Sequence, residues 1–172
     1  NRKKTFFENG IVAHVPMANP TCRILMDLSK NILQSLNIKN SYGGTYLAME
    51  GPQFSSKAES LLYKSWNCDV IGMTNIPEAK LAREAEIRYA SISMVTDFDS
   101  WSSEHEEVDL QILLETMHKN VQKSKNFIEH FSDKYFSNID FSSDTTSKIL
   151  DTSIVTQYEN WNRDIEIKLS NV

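Results

Sequence analysis

Hydrophobic and polar positions along the chain follow two alternating patterns. Short apolar runs bounded by Gly, Asn or Pro predict extended, buried strands, and apolar residues spaced three and four apart predict helices with one buried face. The strand-like segments are residues 10–17, 45–50, 68–73 and 88–96. The helical segments are residues 21–37, 56–66, a stretch beginning at Asn75, and 109–131.

This alternation of strands and helices predicts an α/β fold. Residues 132–172 are rich in Ser, Thr, Asp and Asn, and their periodicity is weak, so we expect one further helix there. There is no internal repeat and no low-complexity run that would mark a second domain. We therefore expect residues 1–172 to form a single domain.

Composition narrows the classes of function. The chain has 172 residues, of which 40% are hydrophobic, and this is enough for a globular core. Its formal net charge of -5 argues against nucleic acid or an anionic membrane surface as a partner. No apolar run approaches the roughly 18 residues that span a bilayer. The first residue is Asn rather than Met, so we expect an upstream part to be missing.

Common cofactor and metal motifs are absent from the sequence. The five glycines form neither a dinucleotide fingerprint nor a phosphate-binding P-loop, and the four histidines do not form H-E-x-x-H. Cys22 and Cys68 stand far apart, without a C-x-x-C pair, so we expect neither a disulfide framework nor a structural zinc site.

Polar and acidic residues follow two of the predicted strands. Met73 and Thr74 come after one strand, and Asp97 and Asp99 after the next. Ligands of open α/β sheets bind beyond the carboxyl ends of strands, so both places are candidate pocket positions. Two carboxyl groups that lie close together favour retaining a proton, so one of them could act as a proton donor. Alternatively, these aspartates only end a strand and cap a turn.

Two further positions have both a binding and a structural interpretation. Thr74 precedes a helix N-terminus, where free amides and the helix dipole favour an anion such as phosphate, although the pattern alone favours an ordinary helix cap. Phe54 lies in a loop after a strand, where its ring could stack on a flat ligand or close the core.

Three blocks of the sequence resemble the C-terminal half of the 5'-methylthioadenosine phosphorylase family. In order and spacing, the blocks are Thr45 to Ser60, Asp69 to Glu78, and Tyr89 to Asp99. The resemblance extends from about Phe6 to Phe131 and is weak beyond it. It implies a nucleoside phosphorylase-like twisted mixed sheet flanked by helices, assembled as a homotrimer.

The resemblance also implies an activity: phosphate and methylthioadenosine give adenine and 5-methylthioribose-1-phosphate, in purine and methionine salvage. It implies no metal and no organic cofactor, with inorganic phosphate as a co-substrate. It further implies a cytoplasmic enzyme, and it allows a nuclear location as well.

The resemblance assigns roles to residues around the purine and the phosphate. It places Thr74 on the phosphate and Met73 against the ribose. It places Asp97 at purine N7 as the acid that neutralises charge on the departing base. Beside the base it places Phe54, Ser55, Phe98 and Asp99.

The resemblance places a second group of residues at the 5' end of the nucleoside. Leu110 and Leu113 supply an apolar wall that suits a methylthio group, although both also fit a plain core stripe. His14 matches a histidine that a neighbouring subunit contributes to this region.

The sequence departs from the family in two ways. Thr156 and Gln157 are polar where relatives place an apolar residue, so adenosine is a competing substrate. The resemblance places the family's phosphate loop upstream of Asn1, so we expect this chain alone to lack most of the phosphate ligands. The alternatives are a broader purine nucleoside phosphorylase acting on adenosine or inosine, and a truncated, non-catalytic purine-binding subunit.

Overall fold

The structure is a computed structural model that describes residues 2–8, 10–102, 110–135 and 139–170. Its strands are β1 (Tyr46–Ala48) and β2 (Val70–Gly72). Its helices are α1 (Arg23–Ser35), α2 (Lys57–Ser65), α3 (Asn75–Glu84), α4 (Leu110–Tyr135), α5 (Leu150–Ser153) and α6 (Arg163–Leu169). Single 3₁₀ turns lie at Thr146–Lys148 and Tyr158–Asn160.

The two strands and the helix between them form a βαβ unit. β1 and β2 pair in parallel, with Leu47 opposite Ile71, and α2 connects them. A capping box fixes the start of α2: the Ser56 hydroxyl accepts from the Glu59 amide, and the Glu59 carboxylate accepts from the Ser56 amide at 2.8 Å. The predicted α/β class is confirmed, and the sheet of the described residues consists of these two parallel strands.

Two of the predicted strands are not strands in the structure. Residues 10–17 make one antiparallel bridge, from Ala13 to Ile154, and residues 88–96 have no strand assignment. Carbonyls of the second segment accept instead from the amide of Cys22 and the side chain of Asn120. An apolar, β-branched pattern favours an extended chain, but a strand also needs a run of paired residues, and within the described residues these segments make no more than the one bridge.

The helical predictions hold better because helix hydrogen bonds are local. α1 lies within the predicted residues 21–37 and buries Ile32 almost completely, with 1% of it exposed. α4 covers the predicted residues 109–131 from Leu110 on and extends four residues beyond them. Its apolar stripe is not uniformly buried, since Phe127 is covered and Ile128 is 62% exposed.

The C-terminal region holds more structure than its sequence indicated. Instead of one further helix, the described residues there form α5, α6 and two 3₁₀ turns. They pack on the beginning of the chain: Phe7 and Ile11 are buried against Leu150, Ile154 and Trp161. Weak periodicity concealed these elements because each is at most two turns long.

Contacts within the chain cluster into two compact units. Unit 1 comprises residues 1–26, 74–91 and 140–172, and unit 2 comprises residues 27–73 and 92–139. The single domain expected from the sequence stays a prediction. Among the described residues, no helix combines the length and the apolar character needed to cross a bilayer.

Candidate functional site

The loop after residue 96 holds the two candidate carboxylates, both in unit 2. The Asp97 side chain is exposed and accepts a hydrogen bond from the Thr96 hydroxyl. Asp99 is half-buried, and its Oδ2 atom is buried without a hydrogen-bond partner among the described residues. A buried carboxylate oxygen is normally hydrogen-bonded, so this atom is suited to accept from a ligand donor.

Hydrogen bonds tie this loop to the segment that carries the predicted base-contacting residues. The Ser100 hydroxyl donates to the carbonyl of Ser55 at 3.0 Å. The Trp101 amide donates to the hydroxyl of Ser60 at 3.0 Å, and Ser60 is only 1% exposed. These contacts bring the Asp97–Asp99 loop and the Phe54–Ser55 loop together.

Aromatic rings flank the two loops. Phe98 is 60% exposed and packs edge-on against Trp101, with ring centroids 6.0 Å apart. The Lys64 ammonium lies 3.5 Å from the centroid of the Trp101 ring, which is a cation–π contact. Phe54 is 83% exposed, so the interpretation of Phe54 as a core residue is wrong. Its ring has the exposure that stacking on a flat ligand requires.

Met73 directly follows β2, as expected for a residue at the carboxyl end of a strand. Its side chain packs against the backbone of Gly51, so a Cβ atom at Gly51 would lie 2.6 Å from the Met73 sulfur. Gly51 also has a φ of +68°, which residues other than glycine rarely adopt. Gly51 therefore gives Met73 the room for its present position.

Thr74 lies at the start of α3 in unit 1, and its side chain is exposed. It makes no side-chain capping hydrogen bond, and Asn75 accepts instead from the hydroxyls of Tyr89 and Ser91. Ile76 has a non-helical backbone because a residue that precedes proline avoids helical angles. Thr74 therefore occupies the N-cap position of α3 without a side-chain capping hydrogen bond, and the residue is exposed.

The residues predicted for the 5' end are only partly described. His14 is exposed, lies in unit 1, and its amide donates to the carbonyl of Ser153 at 2.8 Å. Leu113 is half-buried in the first turn of α4. Leu110 begins α4, but its side chain lies outside the described part of the structure. Leu114, the residue that follows Leu113 on α4, is 56% exposed.

Sequence reasoning missed four residues that position the site: Gly51, Ser60, Ser100 and Trp101. The hydrogen bond between Trp101 and Ser60 joins positions 41 residues apart, which no local pattern reveals. The one available signal was Gly51, since a glycine before proline at a strand end is typical of a turn with special backbone angles.

A match to a protein-family model identifies the family of this chain. The model of the phosphorylase superfamily matches residues 1–133. The chain belongs to the phosphorylase superfamily. Within it, the chain is 55% identical over 127 residues to S-methyl-5'-thioadenosine phosphorylase of Cereibacter sphaeroides, covering 74% of this chain and 44% of that protein. It is 44% identical over 171 residues to the protein of that name from Rhodospirillum rubrum, covering 99% and 58%.

Solved structures of the superfamily share this fold. A methylthioadenosine phosphorylase from an antarctic soil metagenomic library superposes with a TM-score of 0.87 and 34% identity, over 98% of this chain and 59% of that one. A double mutant of the adenosine/methylthioadenosine phosphorylase of Schistosoma mansoni, in complex with adenine, gives a TM-score of 0.81 and 28% identity, over 91% and 63%. The chain thus spans about half the length of the curated phosphorylases it matches.

Proposed function

We propose that the complete protein cleaves 5'-methylthioadenosine with phosphate, giving adenine and 5-methylthioribose-1-phosphate. The observation that carries this proposal is the 55% identity to a relative named S-methyl-5'-thioadenosine phosphorylase. The exposed Asp97 and the unpartnered Asp99 oxygen, held beside the Phe54–Ser55 loop, support a purine site in this chain.

The aspartate loop suits the chemistry of the departing base. Breaking the N-glycosidic bond leaves negative charge on the purine, and a protonated carboxyl at N7 neutralises it. Asp97 is the proposed acid. Asp99 accepts from a donor on the purine edge, which would satisfy its buried oxygen. Phe54 and Phe98 are exposed aromatic residues that can stack on the base. Ser55 lies beside the base, and its carbonyl accepts a hydrogen bond from Ser100, next to the aspartates.

The remaining proposed contacts are with the sugar, the phosphate and the 5' end of the nucleoside. Met73 lies against the ribose, and Thr74 offers its exposed hydroxyl to phosphate at the start of α3. Leu110 and Leu113 form the apolar wall at the 5' end, and His14 approaches that end from a neighbouring subunit. We further propose a homotrimer, a cytoplasmic location, a role in purine and methionine salvage, and no requirement for a metal or organic cofactor.

A second candidate is a broader phosphorylase that accepts adenosine as well. The observation that favours it is the similarity to the Schistosoma mansoni protein, which is named an adenosine/methylthioadenosine phosphorylase. Asp97 favours adenine over 6-oxopurines in both candidates, because a mismatched purine edge leaves buried polar groups unpaired.

The test is adenine release by the complete protein from methylthioadenosine, adenosine and inosine, each with and without phosphate. We expect release only with phosphate, and the highest kcat/KM for methylthioadenosine. Equal efficiency with adenosine supports the broader phosphorylase. A preference for inosine supports a broader phosphorylase but contradicts the role proposed for Asp97, and purine binding without turnover supports the non-catalytic subunit.

We expect Gly51→Ala to raise KM for the nucleoside, because the new methyl group displaces the Met73 side chain from its position. Gly43→Ala is the matched control: Gly43 also has a positive φ, of +77°, but a Cβ there meets no atom within 4 Å. Both variants should lose about 1 kcal/mol of stability from backbone strain. Steady-state kinetics and thermal unfolding separate the two effects, and an equal KM in both variants contradicts the role of Met73.

A further inference from the structure

Unit 1 contains a cavity of about 310 Å³ whose wall combines aromatic rings and carboxylates. The N-terminal segment contributes Phe6 and Phe7, and the end of α3 contributes Glu84 and Glu86. More than half of the lining residues come from positions 150–170, beyond the end of the family-model match at residue 133. Most of the cavity wall therefore lies outside the residues that the family model matches.

Three glutamates line the cavity, and among its described lining residues none carries positive charge. Glu84 is only 6% exposed, and its Oε2 atom accepts from the Phe6 amide at 2.7 Å. Glu86 accepts from the Leu150 amide at 3.0 Å through Oε1. Each of these two carboxylates is thus held by one oxygen, and its other oxygen has no protein donor in the described part of the chain.

The third carboxylate, Glu166, accepts a hydrogen bond from the Tyr158 hydroxyl. This hydrogen bond, together with the negative charge of Glu166, raises the pKa of Tyr158. The phenol therefore stays neutral at physiological pH and remains a donor to Glu166.

Aromatic rings form the other part of the wall, and the protein holds them in place. Tyr158 and Trp161 pack with centroids 5.3 Å apart at 47°. The Trp161 ring nitrogen donates to the Thr156 carbonyl at 3.1 Å, which fixes the orientation of the indole. A cation attracts the faces of aromatic rings, and it also offsets carboxylates that are partly removed from water.

We propose that this cavity binds an organic ammonium ion through its aromatic rings and glutamates. An inorganic cation would leave the apolar wall formed by Leu150, Ile154 and Leu169 without a partner, whereas an alkylammonium ion fills it. The inference does not depend on the proposed phosphorolysis, because none of the residues assigned to the nucleoside lines the cavity.

Calorimetric titration of the complete protein tests this inference with two matched pairs of probes. Choline is compared with its neutral isostere 3,3-dimethylbutan-1-ol, and n-butylammonium with butan-1-ol. We expect at least one of the cations to bind with a millimolar or lower Kd and its neutral analogue to bind at least about fivefold more weakly. No binding by either cation, or equal binding of the cations and their alcohols, overturns the inference.

Variants locate the binding in the cavity. Glu84→Gln and Glu166→Gln each keep the side-chain shape, and we expect each to raise the Kd of the bound cation about three- to tenfold. Glu129→Gln is the control, since it removes the same charge from an exposed position on α4. A Kd that changes equally in all three variants reflects overall charge and contradicts the site. Glu166→Gln keeps the test valid if the buried Glu84→Gln variant unfolds.

Discussion

We expect Asp97→Asn to lower the kcat of phosphorolysis by about 10²- to 10⁴-fold in the complete protein, because an amide cannot donate the proton that a carboxyl group supplies. The substitution is nearly isosteric, and the Asp97 side chain is exposed, with the Thr96 hydroxyl as its donor. Stability should therefore change little. Stopped adenine-release assays measure kcat, and thermal unfolding measures the stability.

The control for this variant is Asp133→Asn, which makes the same chemical change at an exposed position on α4. Its kcat should equal that of the unchanged protein. If Asp97→Asn also retains full activity, Asp97 is not the acid, and Asp99, with its buried and unpartnered oxygen, becomes the next candidate. A loss of activity that accompanies unfolding would show a structural role for Asp97 instead.

Sequence patterns predicted the fold where the determining interactions are local. The spacing of apolar residues located α1 and α4, and the Ser56–Glu59 pair located the start of α2. The same reasoning failed for residues 10–17 and 88–96, because strand formation depends on a distant partner that no local pattern specifies. It expected one helix in residues 132–172 but could not locate α6, whose seven residues are too few for a clear period.

The residues of the candidate site could likewise be predicted only where a local pattern marks them. Met73 follows β2, as its position after an apolar run predicted. Asp97 and Asp99 could be selected as candidates from the sequence, although the segment before them is not a strand in the structure. Their placement relative to Phe54 and Ser55 could not be predicted, since it depends on the long-range contacts of Ser100 and Trp101. The unpartnered oxygen of Asp99 likewise becomes visible only when its surroundings are known.

Phe7→Ala and Phe54→Ala should separate stability from substrate binding. Phe7 is 8% exposed and packs in the core that joins the start of the chain to its C-terminal helices. We expect its truncation to lower the free energy of unfolding by about 3 to 5 kcal/mol. Phe54 is 83% exposed, so the same substitution there should leave stability almost unchanged. Denaturant unfolding of the two variants measures this difference directly.

The effect on KM should be large for Phe54→Ala and small for Phe7→Ala, the reverse of the effect on stability. Loss of the Phe54 ring removes stacking on the purine, so KM for methylthioadenosine should rise about fivefold, equivalent to about 1 kcal/mol. Phe7→Ala protein that is still folded should keep the KM of the unchanged protein, because Phe7 packs in the core of unit 1 and is not among the residues assigned to the nucleoside. An unchanged KM in Phe54→Ala would remove Phe54 from the purine site. Equal stability of the two variants would contradict a core shared by the first residues and the C-terminal helices.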